Sequence, residues 1–244
     1  LLFVGADYLG VRSGAVNSVP LLGWAMLGAG VLVGAVYLRR QWPLAAPLFP
    51  LDLLRIPVFA LSMGSSLGAF CAQMLAFLSL PFLLLDVQGR THMQAGLIMT
   101  AWPMATVLVA PMAGRLIGRY PAGWLGGIGM VVFATGLLLV GLRPEQATSL
   151  DMAWRLALCG AGFALFQSPN NHTIVTSAPV NRSGAASGML GTARLTGQTL
   201  GAVILAAIYA VWNQHDGRGE TIAMCLAAGF ALLAGVSSSL RVRH

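Results

Sequence analysis

Residues 160–202 read GAGFALFQSPNNHTIVTSAPVNRSGAASGMLGTARLTGQTLGA. Two apolar runs flank a short connection whose one charge is Arg182. Gln167, Ser168, Asn170 and Asn171 interrupt the first run, and Arg194 and Gln198 interrupt the second. Polar side chains in lipid-compatible helices are costly, and they face a bundle interior or a water-filled path. Counted outward from the Val180–Gly184 connection, Asn170 and Arg194 each lie ten residues away. That is about 15 Å at helical rise, near the middle of a bilayer about 30 Å thick. An arginine there costs from roughly 3 to above 10 kcal/mol and needs partners. Gln167, Asn170, the Leu165 carbonyl freed by Pro169, or an acid from outside this chain fit that need. The pattern suits a structural role and a transport path alike.

Composition fixes the solvent. The chain is 57% hydrophobic and 9% charged, against roughly 25% charged residues in soluble domains. This is an all-α integral membrane protein: the apolar runs are continuous, without the alternation of a membrane barrel. Every basic residue counted in the net charge of +7 is arginine. The arginines sit between apolar runs rather than in one aromatic-laced patch, so loop charge explains them and a nucleic-acid partner is not expected. Cys71, Cys159 and Cys225 lie far apart in apolar runs, so no metal site and no cofactor is expected. Clustered His, Asp or Cys at one depth, or a Ser–base pair, would mark a membrane-embedded enzyme. None occurs, and no catalytic residue is assigned. The chain opens mid-hydrophobic at Leu1–Val4 without Met, which reads as a fragment.

Seven runs approach the roughly 20 residues that a spanning helix needs: 20–38, 57–85, 94–116, 123–142, 153–178, 188–212 and 221–240. Placing the carboxyl end in the cytoplasm puts Arg39, Arg40, Arg55, Arg115, Arg119, Arg182, Arg194, Arg241 and Arg243 at or near the inner side. Arg12, Arg90, Arg143, Arg155 and Arg218 then lie outside. The positive-inside bias favours that orientation. Asp7, Asp86, Glu145, Asp151, Asp216 and Glu220 fall outside too, so no carboxylate is expected in the interior of the six later helices. Trp42, Trp124, Trp154 and Trp212 fall at helix ends, where a ring suits the headgroup level. Trp102 lies mid-run and is expected to pack between helices or line a cavity. Pro103 and Pro111 should bend that helix. Gly64/Gly68, Gly114/Gly118, Gly123/Gly127, Gly184/Gly188 and Gly197/Gly201 have the spacing of close helix contacts. The segment 39–57, RRQWPLAAPLFPLDLLRIP, divides the 20–38 helix from a block of six.

Three pieces carry a family likeness: PLFPLDLLRIPVFA (47–60), AWPMATVLVAPMAGRLIGRYP (101–121), and GFALFQSPNN followed by RSGAASGML. Together they resemble the carboxyl half of major facilitator superfamily transporters, most of all the fourteen-span, QacA/EmrB-like drug:proton antiporters. The resemblance implies three parts. Residues 1–19 would end a preceding span and form an outer loop. Residues 20–56 would form a linker transmembrane helix and its cytoplasmic connection. Residues 57–244 would form a six-helix transporter bundle. It further implies multidrug efflux from a bacterial inner membrane, with protons and small hydrophobic or cationic substrates as partners. A missing amino-terminal six-helix half would complete the cleft and hold the proton carrier. The alternatives are a non-transporting scaffold or degenerate fragment, and a transporter of another small solute.

Within that frame the candidates for a substrate path are Phe70, Gln73, Phe77, Trp102, Gln167, Asn170, Asn171, Arg194 and Gln198. Phe70, Gln73 and Phe77 share one helix face, with Met74 nearby. Such a stripe is also what ordinary helix packing looks like. The loop at Gly114, Arg115 and Arg119 resembles the family's cytoplasmic gate signature, with Gly118 where an acid is usual. His172 is the one histidine inside the candidate helices, and a lone histidine there is more often a hydrogen-bonded structural residue than a proton carrier.

Overall fold

A computed structural model describes residues 51–144, 147–212 and 217–241, with isolated positions between 25 and 39. The expected parts at 1–19 and 20–56 lie almost wholly outside the described residues. From residue 57 on, six helices are long and apolar enough to cross a membrane. They are α1 (Pro57–Val87), α2 (His92–Leu116), α3 (Ala122–Gly141), α4 (Ser149–Ser177), α5 (Val180–Val211) and α6 (Arg218–Leu240). No strand occurs among the described residues. Helices satisfy every backbone N–H and C=O internally, which the bilayer demands.

Several helices begin before their apolar runs because local capping extends them. Thr148 accepts from the Asp151 amide, and Thr91 and Gln94 form a reciprocal capping box. Those side chains satisfy orphan amides at the first turn, without which the helix would begin a turn later. α2 breaks at Thr100, between His92–Met99 and Ala101–Leu116. Pro103 lies just beyond the break, whereas Pro111 sits within continuous helix. Pro81 lies inside α1, and the last turn of that helix, Leu83–Val87, is π-helical.

The packing has a two-fold pattern. α1 packs mainly on α5 and α6, α4 mainly on α2 and α3, α3 on α6, and α1 also meets α4. Exchanging α1 with α4, α2 with α5 and α3 with α6 maps this set of contacts onto itself. Each triplet has an odd number of spans, so the second runs upside down relative to the first: an inverted repeat. α3 and α4 meet backbone to backbone, and a Cβ at Gly162 would lie 2.7 Å from the Gly129 carbonyl oxygen. The glycine pairs read from spacing behave unevenly. Gly197 and Gly201 press on α1, each placing a Cβ at 2.5 Å from a carbonyl oxygen, of Leu67 and Cys71. Gly64, Gly114, Gly184 and Gly188 meet nothing within 4 Å, because spacing alone does not say which side of a helix has a neighbour.

Candidate functional site

α1 and α4 form a central seam. α2 and α5 flank it and are the least buried of the six spans. At its middle, five aromatic rings link edge to face. Phe70 meets Phe163 at 5.5 Å, Phe163 meets Phe133 at 5.6 Å, Phe133 meets Trp102 at 5.6 Å, and Trp102 meets Phe77 at 6.1 Å. These edge-to-face contacts add about 0.5–1.5 kcal/mol per pair beyond area burial. Trp102 is thus packed at mid-span, at 3% exposure, while Phe77 reaches the surface at 41%. Gly160 admits α2 here, lying directly against the Trp102 carbonyl.

Arg194 lies on α5 beside this cluster, with its guanidinium 4.8 Å from the centre of the Phe70 ring. The contact is a cation–π interaction. Its Nε–H is buried and has no acceptor among the described residues. Gln198, one turn further along α5, and Gln73 on α1 are half-buried.

Asn170 is engaged elsewhere. It is 1% exposed, donates to Ser66 Oγ at 2.7 Å, and accepts from Arg241 Nη1 at 2.7 Å. Arg241 also donates to Ser62 Oγ at 2.8 Å, to the Ser238 carbonyl at 3.2 Å and to Ser238 Oγ; Ser238 Oγ donates to the Gly123 carbonyl at 3.2 Å. This clamp joins α1, α3, α4 and α6 at the end of the bundle where α6 finishes. Arg241 is 6% exposed, which corrects its reading as a plain loop charge. Its long stem reaches back past the last helical turn into serines whose hydroxyls face inward. Gln167 and Asn171 are half-buried, Asn171 Oδ1 lacks a partner among the described residues, and His172 is exposed.

The Gly114–Arg119 loop caps α2 at the same end, with Gly114, Arg115 and Arg119 exposed. Gly118 has φ +89°. That left-handed conformation strains any L side chain, which gives a backbone reason for glycine where the family likeness leads one to expect an acid. Nearby, Arg182 pairs with Asp52, tying the α4–α5 connection to the short 3-10 turn Leu51–Arg55.

At the opposite end Arg90 straps two connections together, donating to Gln88 Oε1 at 2.8 Å, Ser149 Oγ at 2.5 Å and the Ala147 carbonyl at 2.6 Å. Glu220 corrects an expectation here: it is 0% exposed, inside the first turn of α6, and neither oxygen has a hydrogen-bond partner among the described residues. The helix starts at Arg218, three residues before the apolar run, and carries the carboxylate into the bundle. Burial pushes the Arg143 guanidinium below its usual range, and the nearby Glu220 carboxylate acts in the opposite sense. No group of three or more His, Cys, Asp or Glu able to hold a metal occurs among the described residues.

Inverted three-helix repeats around a seam with mid-span polar groups give a polytopic membrane protein the architecture found in secondary transporters. Residues 13–202 match the Major Facilitator Superfamily, and the chain belongs to that family. It is 51% identical over 212 residues to the uncharacterized transporter YebQ of Escherichia coli K12, covering 87% of this chain and 46% of that protein. It is 29% identical over 218 residues to the multidrug resistance protein Stp of Mycobacterium tuberculosis, covering 87% and 40%. A solved bacterial homologue of the human lysosomal transporter Spinster, inward-facing and unoccupied, shares the fold: TM-score 0.60, 18% identity, 99% of this chain and 63% of that one. The chain thus spans less than half the length of these two curated relatives.

Proposed function

We propose that this chain is the carboxyl-terminal half of a proton-coupled exporter of hydrophobic or cationic drugs, working by alternating access in a bacterial inner membrane with its carboxyl terminus in the cytoplasm. The observation that supports it is the α1–α4 seam, flanked by the sparsely covered spans α2 and α5, the latter carrying Arg194 and Gln198 near mid-length. Lipid on that face would meet a guanidinium and an amide. A facing half-transporter would meet them with polar groups and a shared cleft. The multidrug-resistance name of the Stp relative supports drug export, and the fourteen-span branch follows from the resemblance at 47–60 and 101–121. Proton coupling draws on an acid in the facing half. Phe77, Gln73, Gln167 and Asn171 supply the apolar and amide parts of this wall, with Phe70 buried behind it.

The test is ethidium efflux from proteoliposomes. The full-length transporter should move ethidium only with an imposed proton gradient, and this chain alone should move none. Efflux by the chain alone would refute the half-transporter reading. A full-length protein that folds but moves no solute would favour the scaffold reading.

A further inference from the structure

We propose that Arg194 binds the acidic group of an anionic aromatic solute, a carboxylate or similar acid carried on an apolar ring system. The proposal rests on the reading of this bundle as one wall of a transport path, and it changes the charge of what that path takes. The placement of Arg194 follows from packing. Gly197 lies so close to α1 that a Cβ there would stand 2.5 Å from the Leu67 carbonyl oxygen and 3.1 Å from Phe70 Cβ. That contact fixes the rotation of α5 and sets Arg194, three residues earlier, on the flank of the seam over Phe70.

The guanidinium is then short of partners. Its Nε–H has no acceptor among the described residues. The ion pairs among the described residues are Arg155–Asp151 and Arg182–Asp52, and neither involves Arg194. The described acids Asp52, Asp86, Asp151 and Glu220 all lie at or beyond span ends, so the mid-depth charge of this wall is positive. A cation–π contact supplies about 0.5–2 kcal/mol, less than the lowest estimates, about 2.5–3.5 kcal/mol, for a charged side chain at mid-membrane. An acid satisfies the remainder, because a carboxylate meets the guanidinium fork through paired charge-assisted hydrogen bonds. The aromatic body of such a solute has a surface to rest on: Phe77 is 41% exposed and backed edge to face by buried Trp102. Gln198 stands one turn along α5 to accept or donate a further hydrogen bond. A cationic solute at the same place faces like charge, which costs affinity. The same carboxylate chemistry could come from an acidic side chain of the facing half, and the experiment separates the two sources.

The experiment measures binding and transport separately in the full-length transporter, using 1-naphthoate as the acid, 1-naphthalenemethanol as the neutral isostere and ethidium as the cation. In nanodiscs, 1-naphthoate should bind at least about tenfold more tightly than the neutral isostere, a difference of about 1.4 kcal/mol. Arg194→Gln should abolish that preference, and Arg194→Lys, which keeps the charge, should retain part of it. Size-exclusion profiles of both variants show whether they fold. Equal binding of acid and isostere, or an Arg194→Gln protein that folds and keeps the preference, overturns the proposal. Gradient-driven ethidium transport without naphthoate binding also overturns it, assigns the acid to a protein side chain, and leaves the export reading standing. Arg194-dependent naphthoate binding with no gradient-driven transport of either solute supports the site and sinks the export reading.

Discussion

Asn170 and Arg241 show how much one buried hydrogen bond governs. Their amide–guanidinium contact at 2.7 Å belongs to a clamp in which Ser62, Ser66 and Ser238 supply the other oxygens. Replacing Asn170 with Leu leaves a buried guanidinium short of an acceptor, which costs about 1–3 kcal/mol. Ser66→Ala removes one neutral bond and should cost about 0.6 kcal/mol, the average for such bonds in membranes. Unfolding titrations in mixed micelles would show whether the two losses differ in this order. At the other end, Glu220 and Arg143 should be coupled: Glu220→Gln and Arg143→Gln made together should depart from additivity by about 0.5–3 kcal/mol. Neither pair was legible in the sequence. Arg241 follows the last apolar residue and Glu220 precedes the first, so both look like boundary charges. Only the three-dimensional ends of the helices show that they fold inward. Ser62 and Ser66, four residues apart on one face of α1, were the available signal.

Among elements, the spans themselves were legible because lipid leaves the backbone no alternative to helix, so apolar length translates directly into structure. Contacts between spans were legible only in part. Gly197/Gly201 marks a true close approach, while Gly184/Gly188 with the same spacing faces open space. The difference is testable. Gly162→Ala, which forces a Cβ into the α3 backbone, should cost about 1–3 kcal/mol or more through overpacking. Gly188→Ala should be neutral or stabilise α5 by up to about 1 kcal/mol through helix propensity. Thermal unfolding in nanodiscs should separate the two, and equal midpoints would contradict the observed packing. Gly118→Asp, which supplies the acid expected of the loop, should instead destabilise by about 1–2 kcal/mol, since its φ of +89° disfavours a Cβ.

For the whole molecule, the two triplets make a bundle whose ends are fastened differently: the Arg241 clamp inside one end, the Arg90 strap between connections at the other. The contact pattern that reveals the inverted repeat joins residues far apart in the chain, so hydropathy alone could not display it. The likeness of residues 47–60 and 101–121 to a known family did foreshadow the six-helix bundle. It did not say which polar side chains turn toward the seam and which are spent on holding the helices together. That division has a consequence for the bundle placed alone in a bilayer. Arg194, near the middle of α5 and short of acceptors, would draw water and phosphate headgroups down toward itself, dimpling the membrane on the α2–α5 side. A thinned, hydrated notch in the surrounding lipid would betray that face before any solute was ever added.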